Sequence, residues 1–138
     1  MNLLRTTILS WFLVFGTGII SAQDLQEGST TSSAEAYLKE LKKSQFLAAQ
    51  GHADAQYSLG VSYETGKGVA EDATEAVKWY QLAADQGHAD AQYSLGVSYE
   101  TGKGVAEDNA EAVKWYQRAA EQGVAKAQYR IGGFYKNG

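Results

Sequence analysis

Between residues 51 and 87 the apolar positions recur at helical spacing and are interrupted by glycines. Ala55, Leu59 and Tyr63 follow one another at four-residue steps, which places them on one face of a helix, before the chain reaches Gly66-Lys67-Gly68. A second apolar stripe runs on to Gly87, which suits a helix end because glycine adopts positive φ without strain. This stripe consists of Ala76, Tyr80, Ala83 and Ala84. The pattern predicts two helices joined by a glycine turn.

The two-helix pattern is then repeated. Gly51–Gln86 and Gly87–Gln122 are 36-residue copies, and a third copy begins at Gly123 and reaches only half of the period. The two full copies differ at four positions, which are Ala73/Asn109, Thr74/Ala110, Leu82/Arg118 and Asp85/Glu121. A fixed period of this length predicts a solenoid, in which each unit buries its apolar face against its neighbours. We therefore expect an all-α fold of stacked helix-turn-helix repeats.

Residues 32–50 are predicted to form one further helix. Aligned by the period, they match the second helix of a unit whose first helix is missing, and they carry Lys43 and Ser44 where the repeats have Trp79 and Tyr80. The apolar face is formed by Tyr37, Leu41, Leu47 and Ala48. A polar outer side suits a helix that caps the array.

Two helix starts carry the spacing of a capping box. Ser32 is followed three residues later by Glu35, and Asp72 by Glu75. In this motif the first side chain accepts from a free backbone N–H and the Glu side chain reaches back to the first residue.

The repeated residues identify a family resemblance. The run A-x-x-x-L-G-x-x-Y-x-x-G-x-G-V-x-x-D-x-x-x-A-x-x-W-Y-x-x-A-A-x-Q-G occurs at Ala55–Gly87 and again at Ala91–Gly123. It resembles the SEL-one-like repeat (SLR), a relative of the tetratricopeptide repeat. The resemblance implies a right-handed α/α superhelix that serves as a protein-interaction scaffold, and it names no partner.

The amino terminus has the pattern of a secretory signal peptide. Arg5 is followed by a short apolar stretch, Ile8–Ile20, and by small residues up to Ala22. Cleavage after Ala22 would leave a polar, Gly-Ser-Thr-containing linker at residues 23–31. The alternative is an uncleaved membrane anchor, although a spanning helix needs about 20 apolar residues. The predicted organisation is residues 1–22 signal peptide, 23–31 flexible linker and 32–138 solenoid, the last comprising capping helix 32–50, repeats 51–86 and 87–122, and half repeat 123–138.

These features predict an exported protein, periplasmic or secreted, with no stable membrane span after cleavage. The 138-residue chain has a net charge of −4, and the predicted leader contributes only Arg5, so the remainder is more acidic still. An acidic chain disfavours nucleic acid as a partner, because binding phosphates needs a basic stripe. The absence of cysteine excludes disulfides and thiolate zinc sites.

Residues with catalytic or metal-binding chemistry have simpler structural interpretations. His52 and His88 lie one period apart, too far to share a metal within one chain, and are interpreted as polar loop residues. Gly60–Gly68 has one residue too many and no Ser or Thr after its Lys for a phosphate loop. We therefore predict no metal site and no cofactor.

Enzyme activity is also disfavoured. SLR proteins with a Cys pair in each repeat have been linked to penicillin binding and β-lactamase activity, but this chain has no Cys and no Ser-x-x-Lys signature. Trp79 and Trp115 recur at the family's packing position and are predicted to lie in the core rather than to bind carbohydrate. Cell-wall or polysaccharide binding remains an alternative function, and a β-lactamase-like hydrolase a remote one.

The leading hypothesis is a non-enzymatic adaptor that binds a protein or peptide segment in its concave groove. In tetratricopeptide-like arrays the first helix of each unit lines the groove, and the shared Leu-Gly-x-x-Tyr allows the positions to be transferred. These are Asp54, Tyr57, Val61 and Glu64, then Asp90, Tyr93, Val97 and Glu100, then Lys126, Tyr129, Gly133 and Lys136. The groove is thus expected to be acidic over two units and basic at the third, with a row of tyrosines, and to suit a segment with a basic stretch. Ordinary solvated helix faces are the alternative interpretation.

The sequence leaves open the oligomeric state and the role of the final helix. Because the two repeats present nearly the same faces, the exposed end of one chain could pack on another, so self-association is possible. The final helix, expected at about Ala125–Tyr135, is either a true cap or part of a longer array.

Overall fold

A computed structural model of the protein describes residues 32–137, and within that range it contains six helices and no strand. The helices are α1 (32–49), α2 (Ala53–Thr65), α3 (Ala73–Asp85), α4 (Ala89–Thr101), α5 (Asn109–Glu121) and α6 (Ala125–Asn137). The chain divides into two compact units, Met1–Leu38 and Lys39–Gly138, and the packing described below lies within the second. The predicted signal peptide and linker lie outside the described residues.

The second helix of each repeat begins at an aspartate cap. The Asp72 side chain accepts a hydrogen bond from the Glu75 backbone N–H at 3.0 Å, as predicted. The reciprocal half of the capping box is wrong, because the Asp72 N–H instead donates to the carbonyl oxygen of Tyr63 at 2.9 Å. Glu75 is left to pair with Lys78, one turn further along α3, at 2.8 Å. The backbone N–H of the capping residue therefore also bonds the start of α3 to the end of α2.

Helix α1 differs from its prediction at its start. Residue 32 is already helical, so Ser32 is not the cap residue that the capping box proposed for Ser32 and Glu35 requires, and that prediction is wrong. Leu41 and Ala48 are buried, but Tyr37 is 53% exposed. The predicted apolar face therefore holds only for the later half of this helix.

The core consists of three clusters, each formed where successive helices meet. Leu41 and Ala48 of α1 pack with Ala55 and Leu59 of α2, with Trp79 of α3 beside them. The next cluster joins α3, α4 and α5, through Ala83, Ala84, Ala91, Leu95 and Trp115. The third joins α5 to α6 through Ala112, Tyr116, Ala119 and Ala127. Alanine is the most frequent residue in the second and third clusters and equals leucine in the first, which lets the helix axes approach closely while larger side chains fill the remaining space.

Buried glutamines bond the end of one repeat to the next. Gln56, only 5% exposed, donates to the carbonyl oxygen of Ala48 at 3.3 Å and accepts from Gln86 at 2.7 Å. The same two bonds recur one period later, among Gln92, Ala84 and Gln122. Each buried amide is thus satisfied, and the carbonyl oxygens of Ala48 and Ala84, which accept from the N–H groups of Gly51 and Gly87, gain a second donor.

The most extensive contacts join α2 to α3, α3 to α4, α4 to α5 and α5 to α6, all of them neighbours along the chain. Such nearest-neighbour packing defines a solenoid, so the predicted all-α repeat fold is confirmed.

Candidate functional site

The predicted groove positions lie on α2, α4 and α6, where they differ in how tightly they are packed. Tyr57 stacks on His88 with ring centroids 4.6 Å apart and lies 5.7 Å from the Tyr80 ring. Tyr93 lies 5.6 Å from Tyr116 in the same way. Tyr129, the third member of the row, is 83% exposed. The three tyrosines thus occupy the same position in successive units, and the one on α6 is the most exposed to solvent.

Two of the predicted acids are bonded to buried tyrosines. The Tyr80 hydroxyl donates to Glu64, and the Tyr116 hydroxyl donates to Glu100. The pKa of both tyrosines lies well above the ordinary value for tyrosine. Burial is the larger cause, and the hydrogen bonds to the glutamates are the next. Glu64 and Glu100 thus hold α2 to α3 and α4 to α5, in addition to any role in binding.

Glu100 has a second partner that Glu64 lacks. Arg130 of α6 donates to it at 3.1 Å, across thirty residues of sequence. Arg130 occupies the position of Ser94 in the preceding repeat. This substitution was the sequence signal for the ion pair, but its meaning depends on how α6 packs on α4.

His88 lies in the loop between α3 and α4, as predicted, and it makes specific contacts there. Its Nδ1 accepts from the Ala91 N–H at 3.2 Å, which caps α4, and its Nε2 lies 3.3 Å from the carboxylate of Asp54. His52, at the equivalent place before α2, makes no side-chain capping bond. The next repeat has Val124 at this position, so Asp90 has no equivalent histidine to meet. Asp54 is nevertheless fully exposed, and Asp90 is exposed as well.

Two cavities bring predicted residues of neighbouring repeats together along α6. The larger, of 770 Å³, contains Glu100, Tyr129 and Lys136. The smaller, of 430 Å³, contains Tyr93, Lys126 and Tyr129. Arg130 lines both, and Gly133 lines the larger. The remaining predicted positions line neither cavity; they are Asp54, Tyr57, Val61, Glu64, Asp90 and Val97.

Sequence reasoning missed other residues that line the larger cavity. Gln128, Gly132, Phe134 and Asn137 lie on its wall. Gln128 and Gly132 correspond to buried residues of α2 and α4, whereas Asn137 corresponds to the exposed Thr65 and Thr101, and none of the four is a transferred groove position. The role of the whole predicted set in partner binding stays a prediction.

The two tryptophans of the described residues, Trp79 and Trp115, are packing residues. Trp115 is 7% exposed, lies in the cluster of α3, α4 and α5, and has the Arg118 guanidinium 4.5 Å from its ring. Trp79 is half-buried against the α1–α2 cluster, and its indole N–H is buried with no hydrogen-bond partner among the described residues. The prediction that both pack in the core is confirmed for Trp115 and holds in part for Trp79.

Within residues 32–137, no three His, Cys, Asp or Glu side chains converge into a metal-binding group. Over the same range, no helix combines the length and the hydrophobicity needed to cross a membrane.

The Sel1 repeat family model matches the chain at residues 53–88, 89–124 and 125–138. A comparison with curated proteins gave no match.

Solved structures with the same fold include two of clear sequence similarity. One is a protective antigen present in uropathogenic Escherichia coli strains, with an SLR fold, at 40% identity and a TM-score of 0.68, covering 70% of this chain and 21% of that protein. Another is a Sel1 repeat protein from Oxalobacter formigenes, at 42% identity and a TM-score of 0.61, covering 72% of this chain and 44% of that protein. This chain thus spans less than half the length of either.

A third structure supports the fold alone. Cysteine-rich protein B of Helicobacter pylori is 20% identical, with a TM-score of 0.61, and the match covers 80% of this chain and 97% of that protein.

Sel1 repeats generally mediate protein–protein interaction, and their fold is typically a non-catalytic scaffold. The three family-model matches together cover more than half of the residues. They coincide with the helices α2 to α6 and follow the 36-residue period. The chain therefore belongs to the Sel1 repeat family.

Proposed function

We propose that this protein is an exported, non-enzymatic adaptor that recruits a protein segment along the surface formed by α2, α4 and α6. The observation that carries the proposal is the smaller cavity, because Tyr93 of one repeat and Lys126 and Tyr129 of the next line it together. A segment lying across α4 and α6 would contact equivalent positions of successive repeats. Tyrosine side chains supply large contact area at a low cost in conformational entropy.

The charges of this surface suggest which charges the bound segment carries and in which direction it lies. Asp54 and Asp90 are exposed at the start of α2 and α4, and Glu64 and Glu100 are half-buried near the end of the same two helices. The equivalent positions of the third unit are Lys126 and Lys136. A segment with a basic stretch facing α2 and α4 fits this order, and opposite charges would raise its association rate and fix its direction.

The test is a crosslinking pull-down from cell-envelope extract. The full chain is compared with a variant in which Asp54 and Asp90 are both changed to Ser, because these acids are exposed and can be removed without breaking a tyrosine bond. The matched control changes Glu71 and Glu107 to Ser, which removes the same charge from equivalent exposed positions near the turns of the same two repeats. We expect a stoichiometric partner with the unchanged chain and the control, and reduced capture with the groove variant.

The other outcomes separate the parts of the proposal. Equal capture by all three proteins would keep the adaptor role and remove Asp54 and Asp90 from the site. Retention on peptidoglycan or other glycans, with no protein captured, would favour the alternative of a polysaccharide-binding module. Hydrolysis of a chromogenic lactam by the pure protein would overturn the non-enzymatic assignment.

A further inference from the structure

A group of polar side chains between α4 and α6 shows how this fold binds a guanidinium. Arg130 of α6 donates to Glu100 of α4 at 3.1 Å and forms a hydrogen bond with the Tyr93 hydroxyl. The other carboxylate oxygen of Glu100 accepts from the Tyr116 hydroxyl. Lys126 lines the same small cavity as Tyr93 and Arg130. We call this group the filled cluster; its members are Tyr93, Glu100, Tyr116, Lys126 and Arg130.

The same arrangement occurs one repeat earlier without its arginine. There the Tyr80 hydroxyl donates to Glu64, and the rings of Tyr57 and Tyr80 lie 5.7 Å apart, compared with 5.6 Å for the tyrosine pair of the filled cluster. The position of Arg130 is held by Ser94, whose side chain forms hydrogen bonds with both tyrosine hydroxyls. A side chain at position 94 therefore faces this group, as Arg130 faces the filled cluster.

The earlier group is also more acidic, because Asp90 stands where the filled cluster has Lys126. Burial, followed by the charge of Asp90, raises the pKa of Tyr57, and the charge of Glu64 acts in the same direction. Both carboxylates thus lie close enough to the Tyr57 hydroxyl to act on it. Among the described residues, no Lys or Arg forms an ion pair with either acid. We call this group the open cluster; its members are Tyr57, Glu64, Tyr80, Asp90 and Ser94.

The open cluster lies inside the array of helices. It is formed by α2, α3 and α4, and the helices on either side, α1 and α5, belong to the described residues as well. Asp90 is exposed and Glu64 is half-buried, so solvent reaches both carboxylates. The helices that form the filled cluster thus all have counterparts here, and the difference lies in the missing cation.

The chain has no spare arginine for the open cluster. Of the two arginines in the described residues, Arg130 is bound to Glu100, and Arg118 lies 4.5 Å from the ring centre of Trp115. Residues 1–31 contain a single basic residue, Arg5, which lies in the predicted signal peptide. This favours another molecule as the source of the cation, and a second copy of the chain would bring only the same arginines.

We propose that the open cluster binds an arginine side chain of the partner segment, in the place that Arg130 takes in the filled cluster. The inference rests on the proposed adaptor function and names one residue of the segment that is bound. A guanidinium is planar and carries several N–H donors, so it can bond Glu64 and the Tyr57 hydroxyl together while Asp90 supplies a further opposite charge. A lysine ammonium lacks this fork geometry.

The probe is a capped peptide, Gly-Ser-Arg-Ser-Gly, with isotope-labelled arginine, whose Nε–H resonance is followed by NMR as the full chain is added. We expect saturable binding of about millimolar affinity, because one side chain forms a few charge-assisted hydrogen bonds. Peptides with lysine or citrulline in place of arginine should bind about fivefold more weakly or less, since the first loses the fork geometry and the second the charge.

Ser94→Arg supplies the missing guanidinium from α4 itself and so copies Arg130 one repeat earlier. It is expected to weaken peptide binding about tenfold or more, because the site is then occupied. The matched control is Ser58→Arg, which places the same residue at the equivalent position of α2, before which the described residues contain no first helix of a repeat. The control should stay within about twofold of the parent. Circular dichroism checks that both variants are folded.

A converse change should create a site in the next repeat. Lys126→Asp together with Arg130→Ser gives the filled cluster the residues of the open one. Introduced into the Ser94→Arg chain, this double change is expected to restore peptide binding to within about threefold of the parent, because the two sites are separate. A merely structural effect of Ser94→Arg would not be reversed in this way.

Three results would overturn the inference: no saturable binding of the arginine peptide, undiminished binding to Ser94→Arg, or equal affinity of the lysine or citrulline peptide. Self-association that Ser94→Arg abolishes would also overturn it, since a second copy would then be the occupant. The adaptor function is tested separately by the pull-down. Capture of the same partner by Ser94→Arg would keep the adaptor function and exclude the open cluster from its site, whereas peptide binding without any captured protein would remove the adaptor function alone.

Discussion

At the scale of single residues, Tyr80 and Tyr116 combine burial with a charged hydrogen-bond acceptor. Both hydroxyls donate to a glutamate of the neighbouring helix, and both rings are excluded from water. Ionisation would place a phenolate in an apolar environment beside a carboxylate, so both effects favour the protonated form. The folded chain therefore holds these two protons more tightly than the unfolded chain does.

This difference predicts a loss of stability in alkali. An unfolded tyrosine has a pKa of about 10, whereas burial and the glutamates raise the pKa of the folded residues. The stabilisation is complete below about pH 10 and is lost as the pH rises toward the folded values, by up to about 1.4 kcal/mol per pH unit for each tyrosine. Urea unfolding at pH 9, 10 and 11 measures the slope, and absorbance at alkaline pH measures ionisation. The double variant Tyr80→Phe, Tyr116→Phe is the control, and an unchanged slope in it would contradict the explanation.

Three glycines at equivalent positions of α2, α4 and α6, which are Gly60, Gly96 and Gly132, should respond to the same substitution in opposite directions. Gly60→Ala and Gly96→Ala place a methyl group 2.6 Å from the ring of Tyr80 or Tyr116, and we expect each to lower the free energy of unfolding by about 1–3 kcal/mol. Gly132→Ala meets no neighbour and removes a flexible residue from a helix, so we expect a gain of about 0.5–1 kcal/mol. Urea unfolding of the three variants makes the comparison. Equal effects at all three positions would show that helix propensity, and not the ring contact, determines the outcome.

At the scale of helices, α2 and α4 have the same sequence but different surroundings. His88 caps α4, meets Asp54 and stacks on Tyr57, whereas His52 makes no capping bond before α2. The difference arises because His88 packs against α2, the first helix of the preceding repeat, whereas within the described residues only α1 precedes His52 and no counterpart of α2 is present. Identical residues thus contribute unequally according to the helix that lies before them.

We predict that His88→Ala is more destabilising than His52→Ala. Loss of the cap and the ring contact should cost about 0.5–2 kcal/mol at residue 88. An exposed loop change at residue 52 should stay within about 0.5 kcal/mol. Because the surrounding sequences are the same, each variant is the control for the other, and thermal or urea unfolding reads the difference. A larger effect at residue 52 would contradict the capping role of His88.

At the scale of the whole molecule, the structural features that the sequence predicts correctly are those that depend on local periodicity. The stripe Ala76, Tyr80, Ala83 and Ala84 is buried as expected, and the glycine turn ends α2. The pairing of Arg130 with Glu100 was not predicted, because it depends on the register between α6 and α4. The different contacts of His52 and His88 were not predicted either, because the residues next to them in the sequence are identical. The cavities along α6 likewise arise only when helices of successive units are packed together.

Nearest-neighbour packing predicts that the number of repeats can be changed. Deleting residues 87–122 joins Gln86 to Gly123 in the same way that Gln86 now joins Gly87, so the remaining helices keep equivalent neighbours. We expect a helical protein with a lower urea midpoint and a smaller m value, because less surface is buried. Inserting a further copy of this segment should raise both quantities. Circular dichroism with urea titration tests both variants, and a deletion variant without helical signal would contradict independent repeat packing.

The glutamine bonds between repeats have a consequence for how the gene can change in length. Gln56 reaches back to Ala48 and forward to Gln86, and Gln92 makes the same two bonds one unit later. Each complete repeat therefore brings the same pair of glutamine bonds, although its other contacts to the neighbouring units differ. A recombination event that gains or loses 36 codons would leave no buried amide without a partner. Such a gene can change length in whole units that each keep these bonds, so the extent of the surface formed by the first helices of the repeats is open to selection one repeat at a time.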